Sequence, residues 1–124
     1  MRSQPEKTDS APTPGDCPGD HAFQLLARRW NAFIIWALLD GPRRFTDLLD
    51  AIDGVSDRML VKRLRELEEA GIVTRRRYRE LPPRVEYALT EAGHALHPII
   101  QAMEDWASNW VDANQPVFAT DELG

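Results

Sequence analysis

The chain has 124 residues, one cysteine and a formal net charge of −5, which fits one compact domain. It lacks a run of the roughly 18 to 20 apolar residues that span a bilayer, and it lacks a secretory signal, so we expect a cytoplasmic protein with no membrane partner. The negative net charge argues against nucleic-acid binding. The charge is segregated, however: Lys and Arg outnumber Asp and Glu between Arg43 and Arg84, and the rest of the chain is acidic.

Three segments are predicted from composition. Residues 1–16 are rich in proline and small polar residues and almost without apolar ones, which predicts a flexible N-terminal arm. Residues 17–110 carry the periodic apolar pattern of a folded domain. Residues 111–124 turn polar again, and we expect a C-terminal tail.

Two helices are predicted at the start of the domain. Cys17 and Pro18 precede a short apolar segment, and Pro18 suits the first turn of a helix. Trp30 opens the next segment, in which residues 31–39 are apolar on nearly every side. That pattern is typical of a buried central helix.

A helix-turn-helix is predicted next. Thr46 is a suitable N-cap for a third helix that runs through Ile52. Ser56 is a suitable N-cap for a fourth helix over residues 56–70, and Gly71 can adopt the left-handed conformation that ends a helix. The third helix, a short turn and the fourth helix together make the motif.

A two-stranded hairpin over residues 73–89 follows, because apolar residues begin to alternate on both sides of the Leu-Pro-Pro tip at 81–83. Thr90 is a suitable cap for a last helix that reaches Trp110, with a kink near Pro98. The predicted fold is mainly α with a small β-hairpin wing: a winged helix-turn-helix with helical elements at both ends.

The helix at 56–70 has two distinct faces at about 100° per residue. Its core face carries Leu60, Leu64 and Leu67. Its opposite face carries Arg58, Lys62 and Arg65. An isolated helix would favour cations at its C-terminal end, so this polarity suits an N-terminal half that lies in a major groove. The alternative is a solvated face, in which Arg65 pairs with Glu69.

The hairpin favours the DNA-binding interpretation. Arginines occupy positions 75, 76, 77 and 79 of one strand, and Arg84 lies across the tip. Such crowding is repulsive unless a polyanion compensates it. The predicted DNA-contacting residues are Arg43, Arg44, Thr46, Ser56, Asp57, Arg58, Val61, Lys62, Arg65, Arg77, Arg79 and Arg84.

The last helix carries an apolar seam that requires a partner. Its members recur every three or four residues, and they are Leu96, Ile99, Met103, Trp106 and Trp110. We predict that this seam forms the interface of a homodimer.

Several strings in this order resemble the HxlR-type family of MarR-like bacterial winged-helix regulators. They are Cys17-Pro18, Trp30, LDGPRRF at 39–45, VSDRML at 55–60, LRELE at 64–68, PPRVEY at 82–87 and Leu89-Thr90. The resemblance implies homodimers built on the first and last helices, with recognition helices in successive major grooves of a pseudo-palindromic operator. The resemblance does not fix whether the regulator represses or activates transcription, and of the two we expect a repressor. One departure is Ala-Arg-Arg at 27–29, where the family commonly has a Gly-Gly-Lys-like string.

The resemblance also implies a role for Cys17, because some family members use a cysteine at the start of the first helix as a redox or electrophile sensor. A helix N-terminus stabilises a thiolate, which gives this placement a physical reason. An oxidant or small-molecule inducer would then be a partner. The alternative is a small cap residue without regulatory chemistry.

An enzyme is not expected, because the sequence has no nucleophile elbow, glycine-rich phosphate loop or carboxylate pair with a plausible cleft. His94 and His97 have no metal-ligand neighbours at the usual spacing, so neither a metal nor another cofactor is expected. The remaining alternative is a winged-helix protein-interaction module without direct DNA readout, for which an apolar centre is expected on the fourth helix and wing.

Overall fold

The computed structural model describes residues 17–111 as a winged helix-turn-helix. The arm predicted at 1–16 lies outside the described residues, as does the tail beyond Val111. In chain order the elements are α1 (Asp20–Ala27), α2 (Asn31–Leu38), α3 (Phe45–Ala51), α4 (Asp57–Glu69), β1 (Val73–Tyr78), β2 (Arg84–Leu89), α5 (Glu91–His94) and α6 (His97–Trp110). None of the helices in this part of the chain has the length and apolar character needed to cross a membrane.

The junction between α1 and α2 is a tight corner. Trp30 adopts a left-handed conformation with φ 82°, and the buried Asn31 donates from Nδ2 to the carbonyl oxygen of Leu25 at 2.9 Å. Gly19, not Pro18, precedes the first residue of α1 as its N-cap. The expectation that Pro18 lies in the first turn is therefore wrong.

Helix α2 forms the centre of the core, but one of its faces is exposed. Ile34, Ile35 and Leu38 are fully buried. Phe33 and Trp36 remain 56% and 46% exposed. The prediction of a helix buried on all sides is thus wrong for these two aromatic residues.

The start of α3 differs from the prediction. Thr46 lies inside the helix, and Arg44 is the N-cap. The carboxylate of Asp47 accepts a hydrogen bond from the backbone N–H of Arg44 at 3.2 Å, so an acidic side chain in the first turn satisfies a free donor. Because the helix begins at Phe45, Thr46 lies two residues after the N-cap and cannot act as the cap.

Both predicted ends of α4 are confirmed. The Ser56 hydroxyl accepts from the backbone N–H of Met59 at 3.1 Å, which is the expected N-cap bond. At the other end Gly71 has φ 77°, and the N–H of Ile72 donates to the carbonyl oxygen of Leu67 at 2.9 Å. These features form a Schellman motif.

The wing is an antiparallel pair in which Val73 lies opposite Leu89 and Tyr78 lies opposite Arg84. Its base is buried, because Val73 and Leu89 are in the core. Arg43, ahead of α3, adds a short bridge to Tyr87 through two backbone hydrogen bonds of 2.9 and 2.8 Å. The wing is therefore anchored to the helix-turn-helix from two sides.

The C-terminal part contains a break between two helices where a kink was predicted. Thr90 accepts from the N–H of Gly93 at 3.1 Å and caps α5 as expected. Helix α5 ends at His94 and α6 begins at His97. Pro98 then lies in the first turn of α6, where its missing N–H leaves no hydrogen bond unmade.

Candidate nucleic-acid interface

The N-terminal half of α4 presents a cationic stripe to solvent. Arg58, Lys62 and Arg65 are exposed, and none forms an ion pair with any other residue between 17 and 111. The proposed pairing of Arg65 with Glu69 is not formed. Asp57 and Val61 are exposed beside this stripe, whereas Leu60, Leu64 and Leu67 are buried on the other side.

The predicted DNA-contacting residues around the start of α3 divide into exposed and anchored side chains. Arg44 and Thr46 are exposed at the beginning of the helix. Arg43 is half-buried and donates from Nε to the carbonyl oxygen of Ala37 at 2.7 Å. This bond closes the end of α2, so Arg43 has a structural role that the sequence did not indicate.

The wing arginines also divide into two groups. Arg77 and Arg79 are exposed, and within the described chain they have no ion-pair partner. Arg84 contacts Glu80 at 3.0 Å and Glu86 at 3.6 Å. Its guanidinium also lies 4.1 Å from the ring centre of Tyr78, the residue opposite it in the hairpin. Arg84 is thus engaged within the wing, and its contacts favour a structural role over the predicted phosphate contact.

A charged cluster behind α4 was missed in the sequence. Arg63 is 9% exposed and donates from Nε to the carbonyl oxygen of Arg29 at 2.8 Å. Its NH1 group contacts Glu66 at 3.0 Å, and Arg28 reaches the same carboxylate at 3.2 Å. The available signal was the position of Arg63 at the edge of the leucine face, since a charged residue there must find partners.

The charges of this cluster act on the carboxyl group of Glu66. Burial raises its pKa, but hydrogen bonds and the positive charges of Arg28 and Arg63 outweigh that effect and lower the pKa below its usual value. Glu66 therefore stays ionised, and it holds two cations from different parts of the chain.

The predicted seam on α6 forms an exposed apolar face. Ile99, Met103, Trp106 and Trp110 are 42%, 47%, 58% and 76% exposed. Leu96 differs, because it is half-buried and packs against the core. The exposed aromatic residues Phe33 and Trp36 of α2 line a groove that also includes Met103, so the apolar surface extends further than the sequence indicated.

Cys17 is a free, half-buried cysteine at the start of the described chain. Its carbonyl oxygen accepts from the N–H of Asp20 at 3.0 Å, and the residue lies two positions ahead of the N-cap Gly19. His94 and His97 are exposed. Across the described part of the chain no group of three His, Cys, Asp or Glu side chains is placed to hold a metal ion.

Comparison with known proteins gives a consistent result. The family described as HxlR-like helix-turn-helix matches residues 25–115. The HTH-type transcriptional regulator YodB of Bacillus subtilis (strain 168) is 43% identical over 102 residues, which cover 82% of this chain and 91% of YodB.

Solved structures agree with the sequence comparison. The reduced form of YodB has a TM-score of 0.70 at 43% identity, over 80% of this chain and 98% of that one. The redox regulator HypR in its oxidized form has a TM-score of 0.73 at 36% identity, over 78% of this chain and 100% of the HypR chain. Further structures of YodB are described as diamide-treated and quinone-bound.

Proposed function

This chain belongs to the HxlR-like helix-turn-helix family of DNA-binding transcriptional regulators, and we propose that it reads a pseudo-palindromic operator as a homodimer and represses transcription. In this proposal the N-terminal half of α4 enters the major groove. The wing contacts the phosphate backbone or the minor groove. Binding without catalysis is the whole activity, and it takes place on DNA in the cytoplasm.

The observation that carries the proposal is the cationic stripe of Arg58, Lys62 and Arg65. The acidic residues of the chain are numerous, yet none of those described neutralises these three cations. Arg77 and Arg79 on the wing add charge of the same kind. A surface of this composition suits a polyanion and is unlike the apolar centre of a protein interface.

The remaining contacts follow from position. Arg44 and Thr46 at the beginning of α3 are placed for backbone contacts, as first helices of this motif cross the DNA backbone. Asp57 and Val61 flank the stripe and would meet base edges. The Ser56 hydroxyl accepts the cap bond and keeps its own hydrogen free for donation. Arg43 and Arg84 have a structural role in this proposal, since Arg43 is bonded to the end of α2 and Arg84 is paired within the wing.

The dimer is proposed to form through α6. Ile99, Met103, Trp106 and Trp110 are too large an apolar set to remain in water, and burial stabilises by roughly 1.5 to 3 kcal/mol for each large side chain that becomes fully buried. Leu96 would contribute from the edge of the core. A two-fold arrangement would present two copies of α4 to half-sites about 34 Å apart.

The signal is proposed to be an oxidant or electrophile that modifies Cys17. Cys17 is the single cysteine of the chain, so the disulfide that it can form joins two molecules. The descriptions of YodB as diamide-treated and quinone-bound support these two reagents as probes.

Selection of bound duplexes from a random-sequence library tests the proposal directly. We expect the selection to enrich one pseudo-palindromic sequence. The protein should bind this duplex more tightly than a scrambled duplex of equal length. Recovery of random sequences, or of no duplex, would instead favour the protein-interaction module.

A further inference from the structure

A three-residue charged cluster joins the first helix to the recognition helix. Glu66 of α4 accepts hydrogen bonds from Nε and NH2 of Arg28 at 3.3 and 3.2 Å. It also accepts from NH1 of Arg63 at 3.0 Å. Arg28 immediately follows α1, and it lies 38 residues away from Glu66 in the chain. The cluster is therefore a tertiary link between two elements.

The link acts on α4 from the side that does not face DNA in the proposed complex. Glu66 and Arg63 are absent from the exposed stripe, and Arg63 is also bonded to the backbone of Arg29. Two parallel N–H donors from Arg28 constrain direction as well as distance, because a guanidinium and a carboxylate meet in a fixed planar geometry. Rotation of α4 about its axis would break these bonds.

The link spans an open cleft between α1 and α4. His21 and Gln24 of α1, Arg28 and Asn31 of the corner, and Glu66 of α4 line this cleft. Leu25 of α1 and Leu67 of α4 form the apolar floor of the cleft, and the ion pair lies at its more exposed edge. Arg28 and Glu66 supply the direct polar contact between the end of α1 and α4 across this cleft.

We infer that Arg28 is a positioning residue, which sets the orientation of the recognition helix through Glu66 and couples movement of α1 to DNA readout. The inference rests on the proposed function, since it requires α4 to read the operator. A glycine at position 28, the residue type expected from the family resemblance, cannot make this bond. The proposed coupling therefore depends on the arginine at position 28.

Three variants test the inference: Arg28→Ala, Arg28→Lys and the double variant Arg28→Ala with Glu66→Gln. The probes are the duplex that wild-type protein selects from a random library and a scrambled duplex of equal length. Arg28→Ala should lose about three- to tenfold in the affinity ratio of selected to scrambled duplex. Arg28→Lys should regain part of that ratio, and the double variant should lose little more than Arg28→Ala alone.

The salt dependence of affinity separates positioning from direct contact. If Arg28 positions α4, the slope of log affinity against log salt stays at the wild-type value. A slope reduced by about 0.9 would show that Arg28 itself contacts a phosphate and would overturn the inference. An unchanged affinity ratio would also overturn it. If wild-type protein selects no sequence, the proposed function fails, which is a distinct result.

Discussion

The Nε atom of Arg63 lies 2.8 Å from the backbone carbonyl oxygen of Arg29, and this bond joins the back of the recognition helix to the corner between the first two helices. The Arg63 side chain is almost fully covered. A buried guanidinium with both a carbonyl and a carboxylate partner is stable only while both partners are present.

Arg63→Met should therefore destabilise the fold. The change leaves the carbonyl oxygen of Arg29 without its side-chain donor, and we expect a loss of about 1 to 3 kcal/mol in the free energy of unfolding. Urea denaturation measures this quantity. Arg65→Met, at an exposed position of the same helix, is the control and should remain within about 0.5 kcal/mol of wild type. Equal effects of the two substitutions would contradict the structural role of Arg63.

Gly93→Ala should destabilise the junction between the wing and the C-terminal helices. A methyl group at this position would collide with the carbonyl oxygen of Ile72 and crowd the Leu89 side chain. Because the carbonyl oxygen of Ile72 is a backbone atom, the collision can be avoided only if the main chain moves. We expect the free energy of unfolding, measured by thermal denaturation, to fall by about 1 to 3 kcal/mol. Ala92→Ser, at the exposed neighbouring position, should have little effect. A Gly93→Ala protein as stable as wild type would show that α5 is packed differently.

The double variant Met103→Glu with Trp106→Glu should be monomeric. Both side chains are exposed in the single chain, so the fold of each chain should survive while the proposed interface acquires buried charge. Light scattering gives the mass, and circular dichroism checks the fold. Ser108→Glu, on the opposite side of α6, is the matched control and should stay dimeric. A dimeric double variant would place the interface elsewhere.

Cys17→Ser should abolish a response to diamide and quinone. Wild-type protein is expected to lose operator affinity on treatment with either reagent, and with diamide a disulfide-linked species should be visible by mass. The serine variant keeps the size of the side chain and removes the thiol, so its affinity should stay constant. If the two proteins release DNA alike, Cys17 is not the sensor.

Local sequence signals predicted the elements that depend on local chemistry. Ser56 and Gly71 mark the two ends of α4 as expected, because a cap hydroxyl and a left-handed glycine act within one helical turn. The predicted cap of α3 was wrong, because the helix begins at Phe45 and its N-cap is Arg44, two residues ahead of Thr46. Residue type alone did not fix the residue at which α3 begins.

Tertiary pairing was beyond the reach of the sequence. A helix that is apolar on all sides does not indicate which face meets solvent, so the exposure of Phe33 and Trp36 could not be predicted. The contact of Arg28 with Glu66 joins residues far apart in the chain, and a periodic sequence pattern does not predict such a contact. The contact of Arg84 with Tyr78 depends on the hairpin register, which places the two residues opposite each other. Its acidic partners Glu80 and Glu86 lie within four residues of it in the chain, so this part of its environment could have been inferred from the sequence.

The salt dependence of operator affinity tests DNA reading by α4 most directly. Wild-type protein should bind its selected duplex with an affinity that falls steeply with salt, and each of Arg58→Gln, Lys62→Gln and Arg65→Gln should lower affinity. A substitution that removes a phosphate contact should also reduce the slope of log affinity against log salt by about 0.9. Arg29→Gln removes the same charge away from the stripe and should leave that slope unchanged. Binding insensitive to salt, or equal effects of Lys62→Gln and Arg29→Gln, would contradict the account.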